Sequence, residues 1–81
     1  MLIIEVADTS AGYDRSVKAR LYARAGIRQM WLVDLERQHV EVLREPAARG
    51  YRTVQAQRRG DRLTIDALPQ IEVAVEAILG E

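Results

Sequence analysis

The chain contains a single lysine, Lys18, and one carboxylate, Glu5, interrupts the apolar start Leu2-Ile3-Ile4-Glu5-Val6. On a helical wheel Lys18 falls between Leu21, Ala25 and Tyr22, inside the stripe expected to face a sheet. A desolvated ammonium is costly unless a carboxylate meets it, and Glu5 lies on the strand that leads into this helix. Asp14 stands one helical turn before Lys18, and Asp34 closes the next apolar run. Carboxylates with one lysine suit metal-assisted hydrolysis of a phosphodiester. The acids hold a divalent ion that polarises phosphate and lowers the pKa of bound water, while the lysine orients that water or offsets developing charge. The same residues also admit a structural role, with Glu5 and Lys18 as a buried ion pair or Asp14 and Lys18 as a helical pair four residues apart.

These side chains need elements to position them. Leu2 to Val6 reads as a buried strand, with Ile3 and Glu5 on one face and Leu2, Ile4 and Val6 on the other. Ala7 to Tyr13 holds turn and capping residues, and Asp14 to Ala25 forms a helix that Gly26 ends. Its wheel puts Val17, Leu21, Ala25 and Tyr22 on the stripe toward the sheet, with Ser16, Ala19, Arg20 and Ala23 opposite. Gln29 to Asp34 is a second strand, so strand, helix and strand imply a right-handed parallel crossover. Ligand sites in open α/β sheets lie at the C-terminal ends of such strands. After a polar turn at Leu35 to Gln38, His39 to Glu45 alternates, with Val40 and Val42 on one face. Pro46 to Gly50 connects it to a partner strand, Tyr51 to Gln57. Arg62 to Ile65 makes a last short strand, and the apolar residues from Leu68 to Leu79 cap the core, with a short helix after Val73. The expected class is α/β or α+β, a single domain over residues 1–81.

Composition limits the function classes. At 81 residues, 48% hydrophobic and 30% charged, the chain is an ordinary small globular domain. It has no spanning apolar run and no basic region before its first strand, so we expect a cytoplasmic protein without membrane contact. Cysteine is absent and histidine occurs once, which favours magnesium or manganese over zinc as any bound metal. Net charge is zero, although Arg49, Arg52, Arg58, Arg59 and Arg62 face only Asp61 across the hairpin region. That stretch is a candidate for DNA phosphate contacts or for simple solvation. His39 reads as a surface residue and Trp31 as core, and the three tyrosines form no stacking platform for single-stranded bases.

The segments Ile3-Ile4-Glu5-Val6-Ala7-Asp8, Tyr13-Asp14-Arg15-Ser16-Val17-Lys18, Leu21-Tyr22-Ala23-Arg24-Ala25-Gly26-Ile27 and Trp31-Leu32-Val33-Asp34 resemble, in that order, the Uma-type family of restriction endonucleases within the PD-(D/E)xK superfamily. The resemblance covers most of the chain and implies a restriction-endonuclease-like core, DNA as substrate, and Mg²⁺ or Mn²⁺ as cofactor. It matches Glu5 to a metal-binding acid and Lys18 to a catalytic lysine displaced into the helix. Asp14 and Asp34 match acidic positions of less defined role.

The departures are equally specific. Family members are about twice this length, and their first metal-binding aspartate precedes the strand that begins here at Met1. Gln29 and Met30 replace an acidic and an aromatic residue before the tryptophan. The resemblance therefore implies the C-terminal portion of a nuclease domain, with weak metal binding and little or no activity alone. The alternatives are a non-catalytic oligomeric or partner-binding remnant and a DNA-binding module acting through the basic hairpin. An uncovered first strand favours pairing with another copy or with a preceding segment.

Overall fold

The computed structural model describes residues 2–7 and 15–80. In chain order the elements are β1 (Leu2–Ala7), α1 (Arg15–Arg24), β2 (Gln29–Asp34), β3 (His39–Ala47), β4 (Gly50–Arg58), β5 (Arg62–Ile65), β6 (Leu68–Ala74) and α2 (Val75–Leu79). Strands β1 to β4 form a sheet in sequence order, and β5 and β6 form a separate two-stranded ribbon. β1 runs parallel to β2, whereas β2–β3 and β3–β4 are antiparallel. This is the expected α+β arrangement, a strand-helix-strand crossover followed by hairpin strands and a short C-terminal helix. None of the described helices is long and apolar enough to cross a membrane.

Both faces of the sheet are covered, which explains the all-apolar middle of β2. On one face Trp31, Val33, Val40 and Val42 pack with Leu63 and Val75 from the ribbon and α2. On the other, Met30, Leu32 and Leu43 pack with Ala19 and Tyr22 of α1 and with Tyr51. Alternation along β2 sends Trp31 and Val33 to the first layer and Met30 and Leu32 to the second. α1 lies over β3 and β4. It ends in a Schellman motif, with Ile27 N–H donating to Tyr22 C=O, Gly26 N–H donating to Ala23 C=O, and Gly26 at φ +79°.

Three expectations need correction. α1 buries Ala19 and Ala23, while Val17 and Leu21 are 47% and 57% exposed and Ala25 is exposed. The wheel gave the larger aliphatics to the sheet, but alanines allow close approach to β3 and β4, and Tyr22 alone fills the gap toward β1. β3 and β4 run on past their expected ends and leave only Ala48 and Arg49 as the turn. Pro46 is accommodated just after Glu45, which takes φ +60°. Leu68–Ala74 is a strand antiparallel to β5, an element that sequence periodicity did not reveal.

Candidate functional site

Register fixes which side chains share the α1 face. Glu5 pairs with Leu32, and Leu32 pairs with Glu41. Glu5 and Glu41 therefore flank Leu32 in one row, about 9.5 Å apart at two strand spacings. Two residues further along, Asp34, His39 and Arg58 form the next row on the same face.

Glu5 is half-buried, and its Oε1 accepts a hydrogen bond from the Tyr22 hydroxyl. This bond raises the Tyr22 phenol above its ordinary value, with burial and the nearby carboxylate charge acting in the same direction. Lys18 is exposed rather than packed against the sheet. No ion pair joins it to Glu5 among the described residues, so the expected buried pair does not form. The rotation of α1 explains this, because it brings Tyr22 to Glu5 and leaves Lys18, one turn earlier on the same flank, in solvent. Asp14 lies outside the described residues.

Asp34 is occupied by the turn it precedes. Its Oδ1 accepts the Arg37 N–H at 2.9 Å, and its Oδ2 lies 3.8 Å from both Arg37 Nη1 and His39 Nε2. A carboxylate accepting from the backbone three residues ahead is a standard way to start a turn. His39 corrects its surface expectation. Its side chain is 13% exposed, and Nε2 is buried 3.6 Å from Glu41 Oε2 with no hydrogen-bond partner among the described residues. Burial of Glu41 and His39 and the partnership of Tyr22 with Glu5 were missed from sequence. The signal for the first two was present, since Val40 and Val42 on one face leave His39 and Glu41 on the other, and α1 covers that face.

The arginines of the hairpin region do not gather. Arg49 sits in the β3–β4 turn, Arg52 is exposed on β4, and Arg58 and Arg59 lie at its far end, where Arg59 Nη2 donates to Gln38 Oε1 at 2.8 Å. The nine residues of β4 separate the two ends by roughly 30 Å. A cleft of about 540 Å³ beside the start of β1, lined by Leu2, Arg28, Gln29, Ile65 and Leu68, opens on the opposite face from Glu5.

Gln29 replaces the acid expected before the tryptophan, and its burial shows why an amide fits. Nε2 donates to Thr64 C=O at 2.9 Å, and Oε1 accepts the Asp66 N–H at 3.0 Å. A carboxylate would satisfy the second contact and leave the first without a donor. Arg44 ties down the same corner through Asp66 at 3.1 Å. This position therefore serves the fold in this chain.

As a test of metal fit, the donor set is incomplete. Among the described residues no three His, Asp or Glu side chains form a group able to hold a metal ion. What the arrangement does offer is one carboxylate, Glu5, held by Tyr22, and an exposed lysine one turn before Tyr22 on α1. Comparison with curated proteins gives no match. Comparison with family models matches residues 1–76 to the family described as "Uma2: Putative restriction endonuclease".

Proposed function

Since that match spans nearly the whole chain, the protein belongs to the Uma2 family, and we propose that it is the C-terminal portion of a DNA-cleaving nuclease fold in which Glu5 and Lys18 are the catalytic acid and lysine. Glu5 carries this reading. It is a carboxylate in an otherwise aliphatic strand, held by a phenol from the following helix through one oxygen only.

Phosphodiester hydrolysis builds negative charge on the phosphate oxygens and the leaving oxygen. Lys18, already solvated, meets a phosphate without losing a buried partner and offsets that charge. Glu5, fixed by Tyr22, orients or deprotonates the attacking water. Nucleases of this family generally use a divalent ion. The described residues do not complete a site for one, and no step is derived through it. Mg²⁺ demands near-octahedral oxygen coordination, so Glu5 alone supports affinity on the order of millimolar or weaker. Cleavage by this chain is expected to be slow.

The incomplete donor set among the described residues and the pairing of β1 with β2 alone among them favour a second reading, a non-catalytic oligomeric or partner-binding remnant of the fold. Nicking of supercoiled plasmid in Mg²⁺ or Mn²⁺ separates the two. The nuclease reading expects slow nicking, lost in Glu5→Ala and reduced in Lys18→Ala without loss of metal binding. No nicking by the native chain, or equal nicking by Glu5→Ala, leaves the remnant.

A further inference from the structure

Arg49 stands apart from the other arginines of the hairpin, but it shares a groove with Arg20 of α1. This groove, of about 340 Å³, lies between α1 and the start of β4 and is floored by Leu43, Tyr51 and Val54. Leu43 is buried, and Tyr51 is held in place by its hydroxyl bond to Ile27 C=O, so the floor is preformed. Val54 is 52% exposed in it. Both charged residues of the lining are cationic. α1 carries Arg15, Lys18, Arg20 and Arg24 and no acid. Glu45, on the neighbouring part of β3, lies outside the lining and accepts from the Thr53 hydroxyl at 2.7 Å. Arg20 and Arg49 are exposed, and no ion pair engages either of them among the described residues.

We propose that this groove is a subsite for one unpaired nucleotide of a DNA strand, with the phosphate taken between Arg20 and Arg49 and the base laid over Val54 and Tyr51. A guanidinium meets a phosphate through paired, charge-assisted hydrogen bonds, and these two come from separate elements with no internal acid to displace. An exposed valine beside two cations suits a ligand that is anionic at one end and apolar at the other. Unstacked bases settle on apolar, aromatic and guanidinium surfaces in this way. The volume falls at the low end of the roughly 300–1,000 Å³ of small-ligand sites, so it admits a nucleotide, whereas the stacked bases of a duplex stay out of reach.

The helix relates this groove to Glu5 and Lys18. Lys18 and Arg20 are about 200° apart around α1, so Lys18 shares the flank of Tyr22 and Glu5 while Arg20 shares the flank of β4. A helix with its side chains is about 10–12 Å across, and one strand crossing α1 reaches both flanks. The choice of a nucleotide over another amphipathic anion rests on the nuclease reading, while the fit of the groove to such an anion does not.

Backbone amide shifts of ¹⁵N-labelled protein, followed during titration with a 5′-deoxynucleoside monophosphate, test this. Shifts should concentrate at Ala19, Arg20, Leu43 and from Arg49 to Val54. The nucleoside without its phosphate and inorganic phosphate should each bind at least about tenfold more weakly. Replacing Arg20 and Arg49 together by alanine, and separately Val54→Glu, should weaken the nucleotide by at least about tenfold. Circular dichroism should stay unchanged in both variants, because all three side chains are exposed. A short single strand should compete for the groove better than its duplex. Shifts absent at millimolar nucleotide, inorganic phosphate binding as tightly as nucleotide, a duplex competing equally, or affinity unchanged in either variant would overturn the proposal. Glu5→Ala should bind nucleotide as the native chain does. Binding without plasmid nicking would therefore sink the nuclease reading alone, and nicking without binding would sink the subsite alone.

Discussion

Tyr22 of α1 and Glu5 of β1 hold one another, and the carboxylate raises the phenol. The phenol must remain protonated to donate, and the carboxylate must remain ionised to be the better acceptor. Because the Tyr22 value is raised in the folded state, the contribution of this bond is complete below pH 10, the ordinary range for tyrosine, and is lost as pH rises through the elevated value. Burial raises Tyr51 as well, and its hydroxyl donates to Ile27 C=O at 2.6 Å. Tyrosinate absorbance followed during alkaline titration should therefore show late-ionising residues. Glu5→Gln should move Tyr22 to lower pH and leave Tyr51 in place. An identical titration in that variant would mean that Tyr22 does not hold Glu5 in solution. A substitution Tyr22→Phe should loosen Glu5 while leaving the ring packed against Met30 and Leu32.

The ribbon of β5 and β6 is attached to the main sheet by polar contacts as well as by apolar packing, and Gln29 is the central one. Its side chain is almost fully buried and makes both of its bonds to backbone groups of the β5–β6 connection. Gln29→Ala strands the Asp66 N–H and leaves the Thr64 C=O only its 3.4 Å contact from Arg44 Nη2, and a group left unsatisfied costs about 1–3 kcal/mol. For a domain of this size 1 kcal/mol corresponds to about 4–8 °C. Thermal unfolding should thus begin roughly 4–20 °C lower, and a loss of only a degree or two would show that water replaces the amide. These contacts also mark where sequence was informative. The exact extent of β2, the turn at Leu35 to Gln38 and the helix stop at Gly26 follow from alternation and turn chemistry, which act locally. β6 did not, because Leu68–Ala74 contains a proline and pairs with β5 through a register shift at Thr64/Ile65. The orientation of α1 was illegible for a different reason. Val17 and Leu21 outweigh Ala19 and Ala23 in hydrophobicity, yet close packing over β3 and β4 selects the smaller pair. At the site, Glu5 was visible as a charge in an apolar strand, whereas its partner depended on that orientation.

The molecule is a slab of 36 × 35 × 16 Å with zero net charge, so it has no net long-range attraction for a polyanion. Its hairpin arginines are spread along the full length of β4, with Arg59 already hydrogen-bonded to Gln38. Only Arg58 and Arg59 are adjacent enough to address neighbouring phosphates together. Each phosphate neutralised adds about 0.9 to the slope of log affinity against log salt. A duplex engaged at two or three points should therefore give a slope of magnitude about 2–3, shallow beside that of a dedicated DNA-binding domain. Replacing Arg58 and Arg59 together by alanine should lower it by about 1–2 and weaken binding similarly on unrelated sequences, since phosphate contacts carry no base information. Fluorescence anisotropy of labelled duplexes over a salt series measures both quantities without requiring cleavage. A steep slope unchanged by the double substitution would put the DNA-binding surface somewhere other than the β4 hairpin.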